Sequence, residues 1–239
     1  MGLWDQVWQR LSPAADPMAA LHGPTLLVVA AVAAGGVLFP SLWRLLRLGV
    51  TLVHELGHAF AGVLSGRRFT GFVLRGDMSG HAVTVGPARG PGRVMTTWAG
   101  YPMPGLVALA LAWVVRQGYA GAALAVLLAL LVVALPRVRS ALTFVAVLVV
   151  GVALGGLWWW RDDARQAGAL VFMALVLLAG AWRHLAAVRG TPRGSGSDPD
   201  VLRQLTRVPA PLWTACFALV LALCTWGVVV SLWGSPLAG

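Results

Sequence analysis

The chain has 239 residues, of which 59% are hydrophobic and only 11% charged. That balance excludes a soluble globule and reads as a polytopic membrane protein. The formal charge of +10 comes from arginine without lysine. No basic run is interleaved with aromatics, so the charge is a topology signal and no nucleic-acid partner is expected.

Residues 1–23 place Trp4, Val7, Trp8 and Leu11 at helical spacing, which suits the membrane interface. They lack a basic stretch followed at once by an apolar core, so no cleaved signal peptide is expected. Gln6 stands where a myristoylation signal needs Ser or Thr. An apolar run from Pro24 to Phe39 ends at Pro40, and a second helix is expected over 41–65. In that helix Arg44, Arg47, Thr51, His54, Glu55, His58 and Ser65 recur at three- and four-residue steps. They form a polar stripe that should face the bundle interior rather than lipid.

Residues 69–86 change character. Phe69–Arg75 and His81–Val85 are rich in β-branched and aromatic residues, and Gly76-Asp77-Met78-Ser79-Gly80 between them has a turn composition. The pattern predicts a β-hairpin, at the surface or shielded by protein, because an open strand edge cannot face lipid. Apolar helices then resume, with expected spans at 94–115, 119–135, 140–158, 167–186 and 211–233. Gly151 and Gly155 form a GxxxG step, and Trp158, Trp159 and Trp160 suit an interfacial belt at a span end. Cys216 and Cys224 read as small buried hydrophobes. The longest polar segment, 190–207, reads as a loop followed by a short helix after a Ser or Asp cap.

The expected fold is therefore all-α and polytopic, with about six to seven transmembrane helices and a small β-hairpin after the second, forming one domain over 1–239. If seven segments cross, the N-terminus, the hairpin and the 190–207 loop share one side. That side carries most of the arginines, the other only Arg44, Arg47, Arg116, Arg161 and Arg165. The arginine-rich side is then the cytosol, and the C-terminus lies outside. Richness in Ala, Gly, Arg and Pro without lysine points to a bacterial cell membrane.

Within 41–65 lies His54-Glu55-Leu56-Gly57-His58. Histidines four apart on a helix share a face and can grip one metal ion, and a glutamate beside them can take a proton from a metal-activated water. Glu55 is the one glutamate in the chain. A catalytic zinc site needs a third protein ligand. On the cytosolic side the candidates are Asp77, His81, His184, Asp198 and Asp200, and each has an ordinary structural use. Asp77 suits a turn, His81 a solvated strand, His184 a helix end at the interface, Asp198 a helix N-cap and Asp200 a first-turn charge.

The His54–Ala59 motif in an early membrane helix resembles the site-2 protease family of intramembrane zinc metalloproteases. A hairpin soon after it and Gly100-Tyr101-Pro102 opening another helix are similar to that family's layout. The nearest likeness is to its small bacterial M50B-like branch, in which a Ser-Asp pair precedes an amphipathic segment, here Ser197-Asp198 followed by Leu202, Leu205 and Thr206. The resemblance implies Asp198 as third ligand, with Zn2+ held by His54, His58 and Asp198 and Glu55 as general base. It also implies a substrate with a transmembrane helix, cut in or near the bilayer. The Leu-Asp-Gly triplet of better-known members is absent. That absence motivates a competing reading, a non-catalytic, metal-stabilised protein that keeps the fold and binds transmembrane partners. A metal transporter would need several carboxylates along its path, and only Glu55 is firmly inside a span.

Overall fold

The computed structural model describes residues 2–14, 21, 23–74, 80–160, 162–189, 194 and 196–233. Asp77 and most of the 190–196 loop lie outside the described residues. The helices are α1 (Leu3–Leu11), α2 (Pro24–Leu38), α3 (Pro40–Leu64), α4 (Pro91–Trp98), α5 (Pro102–Arg116), α6 (Ala120–Ala134), α7 (Ala141–Trp159), α8 (Asp163–Val188), α9 (Asp198–Thr206) and α10 (Ala210–Trp233). Strands β1 (Arg68–Leu74) and β2 (Gly80–Val85) form an antiparallel pair between α3 and α4. This is the expected all-α membrane fold with its small hairpin.

Proline sets the breaks. Pro24, Pro40, Pro91 and Pro102 each occupy the first turn of a helix, where a missing N–H costs nothing. Pro40 turns the chain by 98° between α2 and α3, and the turn at 99–101 bends α4 against α5 by 62°. At 15 residues, α2 is about 22 Å long, short of a hydrocarbon core of about 30 Å. Among the described residues four helices are long and apolar enough to cross a membrane alone, and the crossings become six if each bent pair counts as one. Six lies within the expected range, and on that count the segments at 24–39 and 41–65 make one bent pair instead of two separate spans.

That recount moves the N-terminus. The Ala14 N–H donates to the Gly118 carbonyl at 3.0 Å, and Arg10 donates to the carbonyls of Trp158 and Trp159. These bonds fix α1 beside the α5–α6 and α7–α8 turns. The hairpin lies at the other end of α6: Phe72 bridges Val138, and Arg139 donates to the Thr70 carbonyl at 2.9 Å. The whole length of α6, about 22 Å, separates the two. A seven-crossing count placed them together; the bent α2–α3 pair removes one crossing and puts them apart.

The central helix is α8, which packs against α5, α2 and α10 and buries Leu170, Val171, Ala174 and Leu185 completely. The outer pair α6 and α7 leaves Val126, Leu130, Val145 and Val152 exposed, as lipid-facing helices should. The added Cβ positions at Gly151 and Gly155 meet their nearest neighbours only at 4.0 Å, so the GxxxG step makes no close helix crossing.

Candidate metal centre

The motif helix is held so that Thr51, His54, Glu55 and His58 face inward, while Arg44 at its start stays exposed. Gly57 packs against the α4–α5 junction, where a Cβ would lie 2.6 Å from Met103 Cβ and 2.8 Å from the Ala99 carbonyl. Arg67, just past α3, is 7% exposed and donates to Thr84 Oγ1, the Thr84 carbonyl and the Pro87 carbonyl. It clamps the end of β2 to the end of α3, which lays β2 along the motif face.

His54 and His58 point into one space, their Nε2 atoms 3.1 Å apart. Asp198 Oδ2 lies 3.3 Å from each of these nitrogens. Side-chain exposures of 15%, 13% and 19% put all three mostly out of water. The atoms form a triangle that could hold a metal ion. Tetrahedral zinc with bonds of about 2.0–2.1 Å has ligand–ligand edges of about 3.3 Å, so nitrogen, nitrogen and carboxylate oxygen fit that ion in both spacing and chemistry. The buried Asp198 Oδ2 has no hydrogen-bond partner, as a metal-facing oxygen would not. The Nδ1–H of His58 donates to the Thr96 carbonyl at 2.7 Å. That bond fixes the ring and leaves the Nε2 lone pair for an ion. Thr96 sits near the end of α4, where carbonyls lack partners within the helix.

Asp198 reaches this point because α9 docks on one apolar side. Leu202 is fully buried with Leu185, Phe217 and Leu221. Ser197 holds the N-cap position, and Asp198 is the first helical residue, so its carboxylate is not spent on the cap. Burial pushes the Asp198 carboxyl up, but the two histidines beside it outweigh burial and hold it below the usual carboxylate range.

Asp200 turns elsewhere. Its carboxylate accepts from Arg203, Gln204 and the Gly194 N–H, and these bonds brace the preceding loop. His81 lies on β2 with its side chain exposed, outside the ligand triangle. His184 lies in α8 with its ring centre 6.4 Å from that of His54, beside the cluster but not in it. His184 stands near the end of α8, as a helix-end residue would, and it also lines the cavity with His54.

Glu55 is 7% exposed, and its Oε2 accepts the Ala82 N–H at 2.6 Å. Ala82 stands opposite Phe72 of β1, and because its N–H goes to Glu55 it points away from β1. Gly80 permits the approach, since a Cβ there would lie 2.6 Å from Glu55 Cγ. Metal cluster, glutamate and strand edge share one cavity of about 510 Å³.

A family model described as Peptidase M50B-like matches residues 27–228. The chain belongs to that family. The match runs from α2 into α10, so it includes the histidine pair, the hairpin and α9. Membership makes this chain a membrane metalloprotease of the M50 type. No curated protein and no solved structure matches the chain.

Three contributors to the M50B-like site escaped the sequence reading. Gly100 packs directly on both imidazoles: a Cβ would lie 2.4 Å from His58 Cε1 and 2.8 Å from His54 Cε1. Gly100-Tyr101-Pro102 signalled a helix start but not this contact. The Thr96 carbonyl and the Ala82 N–H are backbone groups, which no residue type advertises.

Proposed function

We propose that this M50B-like chain is a zinc-dependent intramembrane endopeptidase, acting as one unit over 1–239. His54, His58 and Asp198 would hold the ion and Glu55 would act as general base. The triangle of two imidazole nitrogens and one carboxylate oxygen, beside the buried Glu55, carries this reading. Bound zinc would supply a nucleophilic water at neutral pH and polarise the scissile carbonyl.

The chain's own groups do the rest. The Ala82 N–H holds one carboxylate oxygen of Glu55, leaving Oε1 to take a proton and return it to the departing amine. The hairpin beside the cavity would hold an unwound stretch of substrate as an added strand, which aligns its backbone with the site. A substrate transmembrane helix must unwind first, because its carbonyls are otherwise bonded within the helix. The hairpin end carries Arg67, Arg68, Arg89, Arg93, Arg137, Arg139, Arg189, Arg203 and Arg207, so the positive-inside rule favours a cytosolic site. The α1 end would then face outward.

Glu55→Gln tests the assignment. It should bind zinc as the wild type does and fail to cleave a transmembrane substrate. Equal cleavage by both proteins removes Glu55 from the mechanism.

A further inference from the structure

Three buried side-chain polar atoms among the described residues have no hydrogen-bond partner: Trp158 Nε1, Asp198 Oδ2 and His184 Nε2. The first lies at the α1 end, beside Arg10. The second faces the two histidines and is accounted for as a metal ligand. His184 Nε2 has no such account. A buried ring nitrogen without a partner is costly, and native proteins keep one where something outside the chain completes it.

Its position says what that is. His184 lines the same cavity as His54, Glu55, His58 and Asp198. Its ring stands edge-on to His54 at 6.4 Å, against 4.7 Å between the two histidines of the motif, so it is too far out to join the ligand triangle. Trp43 also stands edge-on to the ring at 6.3 Å. Arg183 next to it is already engaged, stacked over Trp43 and donating to the Val37 carbonyl. What remains is an imidazole held one ring-width from the chemistry, with an unused nitrogen.

We propose that His184 is a catalytic residue whose Nε2–H donates a hydrogen bond to the scissile carbonyl oxygen as negative charge builds there. This rests on the peptidase reading above. His184 comes to the cavity from α8, whereas Gly80, His81 and Ala82 come to it from β2. A donor that meets developing charge works mainly in the transition state.

The test compares wild type, His184→Phe, His184→Gln and Glu55→Gln, all in detergent with measured zinc content. Phe keeps the ring's bulk without a donor, and Gln can carry an amide N–H to the Nε2 position. Zinc content should be equal in all four. His184→Phe should lower kcat by about 100-fold, as removal of one such donor does, with KM nearly unchanged. It should weaken binding of a phosphinic peptide, which imitates the tetrahedral adduct, by a similar factor. His184→Gln should recover much of both. A Phe variant with wild-type kcat and phosphinic-peptide affinity overturns the assignment, as does loss of zinc in both His184 variants. A wild type that binds zinc and the phosphinic peptide but never cleaves defeats the peptidase reading instead, and the His184 contact is still read from peptide affinity.

Discussion

Gly100→Ala is the sharpest structural perturbation of the metal centre. The new methyl would lie 2.4 Å from His58 Cε1, 2.5 Å from His58 Nε2 and 2.8 Å from His54 Cε1. Carbon atoms in contact sit about 3.5–4.0 Å apart, so the His58 ring must retreat by about 1 Å. It has little freedom to do so, because Nδ1 is bonded to the Thr96 carbonyl at 2.7 Å and α3 is packed tight at Gly57. Metal sites tolerate displacements of only about 0.2 Å in ligand distance. Zinc affinity should fall by about 10–100-fold, as it does when a supporting contact of a ligand histidine is lost. The assay is chelator competition for zinc. Gly156→Ala is the control, since a Cβ there meets nothing within 4 Å, and it should leave zinc affinity unchanged. Wild-type zinc affinity in Gly100→Ala would refute the claim that this glycine sets the position of both rings.

Two further substitutions separate neighbouring roles. Asp198→Ala should lose bound zinc, whereas Asp200→Ala should keep it and lower the melting temperature, because Asp200 braces Gly194, Arg203 and Gln204; zinc content and thermal melts of both decide. Gly80→Ala puts a methyl 2.6 Å from Glu55 Cγ and 2.9 Å from Thr51 Cγ2. It should cut kcat by roughly 10–100-fold through misplacement of the carboxylate, with zinc content unchanged, as paired metal and rate measurements will show.

Local signals in this chain were legible in the sequence. The histidine spacing, the polar stripe of α3, the hairpin and the short helix at 198–206 all come from patterns within a few residues. The bend at Pro40 was visible as a break, but its 98° angle was not, because a proline shows where a helix starts and not where its partner goes. The end of the bundle on which α1 packs follows from that angle, and so it was misplaced. Asp198 and Asp200 look alike in sequence, both in the first turn of one helix. About 200° of rotation separates them on that helix, which sends one to the histidines and the other to Arg203. His184 lies 130 residues from His54 in the chain, and such a long-range contact leaves no local trace.

In the proposed mechanism His54, His58 and Asp198 hold a zinc ion that Glu55 uses for peptide hydrolysis. The most direct measurement is zinc stoichiometry together with cleavage of a transmembrane substrate in proteoliposomes, for wild type and Glu55→Gln side by side. One zinc per chain is expected in both, with cleavage by the wild type only. Cleavage by both, or a wild type that cleaves without zinc, would contradict it.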